Sequence, residues 1–242
     1  NVPELRMLLG VFEEQRKSIP DYGIFAGVLT PVLSATGGPW AWDDAVQGEA
    51  LRALQVGLAR ATSRYMPDFS KPVHVFGDGS TKAGISGLAA QMGEDGSWQT
   101  LAYYSRPPTK AELTKGATAM EVRTAAWLMK EAKNLTTGTR VYYHTDALSM
   151  QTMTPGTGDL DVHTAADLVA LSRYQVELVV HGRNDTVIRA VDALARFRSK
   201  AGPHRLLPSE ESCPWVYMEA GPAPKKQPPR RLVALAAAFG EG

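Results

Sequence analysis

VHVFGDGSTKAGISGLAAQ, residues 73–91, is the stretch on which the fold turns. Its first half alternates β-branched and aromatic residues, the period-two pattern of a strand, and ends on Asp78 between Gly77 and Gly79. Glycine on both sides lets backbone or ligand come close to that carboxylate. The second half, residues 83–91, is a run of small and apolar residues that predicts a second strand. A carboxylate inside a strand is costly to bury unless something positive meets it. Asp78 is therefore a candidate site residue.

Downstream, residues 93–96 (Gly-Glu-Asp-Gly) predict a tight turn into a third strand over 97–105, which Pro107 and Pro108 end. A helix is predicted over 117–135, with Gly138 just past its end. Its segment AMEVRTAAWLM is apolar nearly all round, which means burial on most faces, yet Glu121 sits in its middle. A fourth strand over 140–145 places Asp146 at its carboxyl end. A Gly-rich loop (154–161), a helix (163–174), a fifth strand (175–181) and a last helix (187–200) carrying Asp192 complete the order. Tight turns make the first three strands antiparallel, and helical crossovers make the later ones parallel. The expected architecture is α/β, a mixed five-stranded sheet with flanking helices, in which the first and fourth strands are neighbours.

Upstream, residues 1–70 read as a small helical segment. LRMLLGVFEEQRKSI is stopped by Pro20, and YGIFAGVLTPVLSA is interrupted by Pro31. DDAVQGEALRALQVGLARA reads as an amphipathic helix capped by Asp43 or Asp44, against which Trp40 and Trp42 are expected to pack. Residues 67–72 are a turn-rich linker into the first strand. The expected organisation is 1–70 helical, 71–200 α/β, and 201–242 a Pro-rich basic tail holding Lys225, Lys226, Arg230, Arg231 and the apolar patch LVALAAAF. Such a tail is expected to be ordered only where a partner, such as protein subunits of a larger complex, pins it.

At 242 residues and 44% hydrophobic composition the chain can bury a sizeable core. The 26 Lys and Arg nearly balance the 25 Asp and Glu, so nucleic-acid binding must rest on a local patch rather than overall charge. Cys213 is the one cysteine, which excludes an internal disulfide and a cysteine-based metal cluster. No apolar run approaches a membrane span and no secretion signal opens the sequence, so an intracellular location is expected. A chain beginning with Asn1 rather than Met is expected to be a processed product or a piece of something longer.

Asp78, Glu121, Asp146 and Asp192 fall where this topology draws them to one point. Four carboxylates brought together repel unless divalent cations neutralise them. Oxygen-only ligands suit Mg²⁺ or Mn²⁺, and two such ions roughly 3.5–4 Å apart suit in-line attack of water on a phosphodiester. Taken singly, each residue has a plainer reading. Asp146 is then a turn former or helix cap, Glu121 a salt-bridge partner of Arg123, and Asp192 part of a solvated helix face. His181 has the plain role of a hydrogen-bonded strand-end imidazole beside that of assisting protonation or product release, and the basic cluster at 225–231 has the plain role of a solvated tail beside that of touching phosphates.

The ordered motifs also carry a resemblance. ELRMLLGVFEEQRKSIPDY, PWAWDDAVQGEALRAL, MPDFSKPVHVFGDGS, LAYYSRPPTKAEL, AMEVRTAAWL, YYHTDALSM and VDALAR together resemble the C-terminal part of an LTR-retrotransposon reverse transcriptase, of the gypsy or retroviral type. The resemblance covers roughly residues 4–197 and implies a thumb- or connection-like segment followed by a ribonuclease H domain. It implies hydrolysis of RNA in an RNA–DNA hybrid, with structured RNA as a related partner and Asp78, Glu121, Asp146 and Asp192 as ligands of two Mg²⁺ or Mn²⁺ ions. Two departures stand out. Gly77 and Gly79 flank the first acid where the family more often shows TDAS, and the long spacing from Asn184 to Asp192 makes Asp185 a competing fourth ligand. The paired aspartates of a polymerase palm are absent from the sequence, so it is not expected to copy nucleic acid. A catalytically idle, retroelement-derived structural subunit of a larger assembly, such as a ribonucleoprotein, is the alternative.

Overall fold

The computed structural model describes residues 1–34, 42–59, 65–81, 84–96, 98–151, 161–181 and 230–231. Three helices come first: α1 (Val2–Glu14), α2 (Tyr22–Ser34) and α3 (Glu49–Ala59). Asn1 starts α1 with a reciprocal capping box to Glu4, satisfying two of the amide donors that a helix N-terminus otherwise leaves open. Helix α2 runs through Pro31 rather than breaking there. Asp43 caps a short π-helical turn, Asp44–Gly48, that leads into α3. Leu5, Leu9 and Phe12 of α1 pack with Phe25, Leu29, Ala50 and Leu54 into one apolar cluster, with Trp42 at its margin; Trp40 lies outside the described residues.

The sheet follows. Strands β1 (Val73–Ser80), β2 (Gly84–Met92) and β3 (Trp98–Arg106) form an antiparallel meander. Helices α4 (Ala117–Glu131) and the one-turn α5 (Lys133–Thr136) divide the predicted long helix at Ala132. Strand β4 (Val141–Thr145) then pairs parallel with β1, and after α6 (Val162–Ser172) strand β5 (Val176–Val180) pairs parallel with β4. The expected five-stranded mixed sheet is there, with β1 and β4 adjacent. A two-residue strand, β6 (Arg230–Arg231), adds antiparallel to β5, giving the order β3-β2-β1-β4-β5-β6. The predicted last helix over 187–200 lies outside the described residues.

Helices α4 and α6 bury Met120, Val122, Leu128 and Leu168 against Val75, Tyr143 and Leu178 in the largest cluster. Phe76, Leu88, Ala90 and Trp98 form a separate cluster with Tyr103 against it, because alternate residues of a strand face opposite sides.

The helical segment is bolted to the meander. Tyr103 N–H donates to the Lys17 carbonyl at 2.9 Å, and Gly23 N–H donates to Ser105 Oγ at 3.0 Å. Gly23 is there because α2 begins hard against β3: a Cβ on it would collide with the Ser105 carbonyl. That neighbour is backbone and cannot swing aside, so Gly23→Ala is expected to cost about 2–3 kcal/mol by overpacking. Urea unfolding of the variant checks this, and an unchanged midpoint would refute the docking described.

Candidate active site

Asp78 lies near the carboxyl end of β1, and the glycines beside it set how close α4 can come. A Cβ at Gly79 would run into Thr124 Oγ1 and stand 3.2 Å from the Met120 carbonyl; one at Gly77 would meet Leu128 and stand 2.5 Å from the Tyr143 hydroxyl. Both positions face α4, so side chains there would push the helix off the strand. Helix α4 carries Glu121, one residue after fully buried Met120. Asp146 follows β4 directly. Its backbone is held on both sides: His181 N–H donates to the Thr145 carbonyl at 2.9 Å, and Ala147 N–H donates to Thr145 Oγ1 at 3.1 Å.

These three acids act on one atom group. Tyr143, 1% exposed on β4, has its phenol pushed well above the usual range, first by burial and then by the charges of Glu121, Asp78 and Asp146 in that order. One oxygen each of Asp78 and Glu121 is out of reach of solvent. Asp192 and Asp185, the candidates for a fourth position, lie outside the described residues. The donor set is all oxygen and suits a hard divalent cation. Among the described residues, however, no three His, Cys, Asp or Glu side chains are gathered closely enough to hold an ion. The charges of the three acids are felt at the buried Tyr143 phenol, but none of them bonds to it.

Arg123, suggested as a partner of Glu121, meets two other acids. Arg123 donates to Glu112 at 3.2 Å and to Asp167 of α6 at 2.7 Å. Glu112 also receives a two-pronged contact from Arg106 at 2.7 and 2.6 Å, and the Thr109 N–H at 2.8 Å. Burial pushes the Glu112 carboxyl up, but the hydrogen bonds and charges of Arg106, Thr109 and Arg123 outweigh it and bring it down to about 2. This network ties the end of β3 to α4 and α6, and so fixes the helix that presents Glu121. The Arg and Glu of LAYYSRPPTKAEL, Arg106 and Glu112, form its two-pronged pair.

A row of imidazoles, unforeseen from the sequence, lies on the opposite face. His74 Nδ1 is 2.9 Å from His144 Nε2, and His144 Nδ1 is 2.6 Å from His181 Nε2. Phe76 and His181 stack on the His144 ring. Burial lowers His74 to about 4 and, with the charges of the other two imidazoles, holds His144 well below its usual value. His74 and His144 are therefore neutral near pH 7. His181 is buried in this row rather than open at the strand end. A histidine on each of two adjacent buried strands was the available signal.

The family comparison now has a site to attach to. Residues 68–176 match the model of the RNase H-like domain found in reverse transcriptase. Over these residues the chain has a ribonuclease H-like fold. Among solved structures, the foamy viral protease-reverse transcriptase in complex with an RNA/DNA hybrid is similar at 20% identity and a TM-score of 0.62, over 75% of this chain and 25% of that one. The same protein in complex with dsDNA gives 20% identity and 0.60, over 75% and 38%. A form designated dRH, in complex with ds DNA, gives 22% and 0.61, over 74% and 32%. The chain thus spans well under half of those proteins, and what it shares with them is the fold. No curated protein matches it. Within the ribonuclease H-like domain, β1, α4 and the end of β4 are the elements that carry the three acids. No helix among the described residues is long and apolar enough to cross a membrane.

Proposed function

We propose that the chain is a metal-dependent endonuclease that hydrolyses the RNA strand of RNA–DNA hybrids. What supports this reading is the match of residues 68–176 to a ribonuclease H-like domain, within which β1, α4 and the end of β4 carry Asp78, Glu121 and Asp146. Asp78, Glu121 and Asp146, with Asp192 or Asp185, would hold two Mg²⁺ or Mn²⁺ ions. Ions held there supply a water that is nucleophilic at neutral pH and charge stabilisation at the departing 3′-oxygen.

The remaining work falls to the protein. The glycines beside Asp78 let α4 pack close to β1, Thr145 holds the turn that presents Asp146, and the Glu112 network fixes α4 so that Glu121 stays in place. His74 and His144, kept neutral by burial, add no positive charge of their own. Hybrid recognition rests on A-form-like shape and 2′-hydroxyls rather than base sequence.

A labelled RNA–DNA hybrid incubated with the chain and Mg²⁺ tests the proposal. Asp78→Asn is expected to lower cleavage by about a thousandfold or more, the loss that follows when several kcal/mol of charge stabilisation goes. Equal cleavage by wild type and variant would sink the assignment. A second reading, an idle structural subunit, draws on the spacing of the acids, which among the described residues falls short of chelation. Retained hybrid binding with no cleavage in Mg²⁺ or Mn²⁺ selects that reading.

A further inference from the structure

We propose that Asp21, in the turn between α1 and α2, is a positioning residue of the acidic site: it holds the hydroxyl proton of Ser86, so that Ser86 presents only lone pairs to its cross-strand neighbour Asp78. The proposal rests on the reading of Asp78 as a cation-binding acid of a nuclease centre. Ser105, Ser86 and Asp78 are direct partners on β3, β2 and β1, and so form one row across the sheet. Direct partners share a face, with Cβ atoms about 5 Å apart. Positions 77, 79 and 87 face α4, so this row lies on the other side, where the helical segment docks. The turn meets two members of the row: Gly23 N–H donates to Ser105 Oγ and Ser86 Oγ donates to Asp21 Oδ1, both at 3.0 Å. Asp78 is the third.

The plain role of an acid at this place is to cap α2, accepting from the second or third amide of the helix. Both amides are taken. Gly23 N–H goes to Ser105, and Ile24 N–H donates to the Asp21 carbonyl at 3.0 Å. The Asp21 side chain is turned onto the sheet instead, in a residue 8% exposed whose backbone, at φ 54°, few residues adopt. A left-handed, buried acid that forgoes its cap for one serine is an outlier of the kind that clusters at functional sites. A serine hydroxyl has one proton and two lone pairs. Committed to Asp21, that proton does not reach Asp78. Aimed at Asp78, it would occupy an oxygen that a bound cation needs. The helical segment thereby keeps the β2 neighbour of Asp78 from competing with the cation.

Asp21→Gly removes the acceptor and suits the backbone, Asp21→Asn keeps an acceptor while removing the charge, and Ser86→Ala removes the hydroxyl. The readout is the ¹³C resonance of the Asp78 carboxyl in the metal-free chain at pH 8, above the value of about 7 to which burial raises Asp21. It is expected to move in Asp21→Gly, to stay close to its wild-type place in Asp21→Asn, and to move no further when Asp21→Gly is added to Ser86→Ala. Ser86→Ala must move it too, a requirement that holds even if Asp21→Gly does not fold. Calorimetric titration with Mn²⁺ is expected to give an affinity about tenfold lower in Asp21→Gly, the lower end of what loss of an outer partner does, and to recover in Asp21→Asn. An unmoved resonance in Ser86→Ala or Asp21→Gly, an equal movement in Asp21→Asn, or further movement in the double variant each overturns the proposal. The expected movements in a chain that neither binds Mn²⁺ nor cuts hybrid uphold the positioning role and remove the nuclease reading instead.

Discussion

Glu112→Ala is expected to lower stability by about 3–5 kcal/mol, the range found when one member of a buried ion pair is removed and the other stays. The Glu112 side chain is 1% exposed, against 20% for Arg106 and 42% for Arg123. Its loss strands a guanidinium that, among the described residues, is otherwise held by the Pro107 carbonyl at 3.1 Å and the face of Trp127 at 5.2 Å. A chain of this size loses roughly 2–4 °C of melting temperature per kcal/mol, so the melting point should fall by about 10 °C. Arg123→Ala removes the more exposed end and should cost under about 1 kcal/mol. Thermal and urea unfolding of the two variants provide the check. A Glu112→Ala loss no greater than that of Arg123→Ala would mean that Arg106 is solvated without its partner.

Asp21→Asn is expected to stabilise the chain at pH 8 and to leave it unchanged at pH 4. Asp21 lies in the turn between α1 and α2 and accepts a hydrogen bond from Ser86 Oγ at 3.0 Å. Burial raises its carboxyl to about 7, the Ser86 bond opposing the rise only in part. The unfolded chain releases this proton near 3.8 and the folded chain only near 7, so the folded state binds the extra proton between those values. The contribution is favourable below about pH 3.8 and is lost as the pH rises through 7. Above that, the structure holds an ionised group in an apolar place.

Asparagine accepts the same hydrogen bond and cannot ionise. It also tolerates the left-handed backbone that Asp21 adopts at φ 54°, where alanine or leucine would be strained. The gain at pH 8 should be a few kcal/mol at most, given about 1.4 kcal/mol per unit of displaced pKa. His74 works in the opposite sense, its depressed value making the folded state more stable as pH rises from about 4 to 6.5, but it is present in both proteins and cancels in the difference. Urea midpoints at the two pH values decide the matter. An equal gain at both would trace the effect to something other than ionisation.

The sheet was readable because its strands announce themselves. Alternation at residues 73–80, a Gly-bounded turn at 93–96 and helical crossovers on either side of β4 dictate pairing order as well as location. Asp78 and Glu121 stand out in the sequence as candidates because each sits where a polar residue makes poor sense locally. What escaped was everything that depends on cross-strand contact. Glu112 looked like one charge among many in a loop, and its burial follows only from where Arg106 ends β3. The histidines at 74, 144 and 181 are each ordinary in sequence, and their row exists only through the register that sets His74 beside Tyr142 and His144 beside Phe76. The break at Ala132 and the antiparallel docking of Arg230–Arg231 likewise follow from packing that no local pattern records.

The parallel pairing of β1 with β4 has a bearing on how the chain comes to its final state. The meander β1-β2-β3 needs only short-range closure, whereas β4 must travel back past two strands and α4 before it can zip up next to β1. Closing such a long excursion costs entropy before any contact compensates for it, so this step falls late and slowly. Asp78 is thus in place early, while Asp146 arrives with the β1–β4 ladder. A nascent or truncated chain that has made its hairpins but not that ladder possesses a folded surface without Asp146 beside β1, so the proposed chemistry would wait until the whole domain has been built.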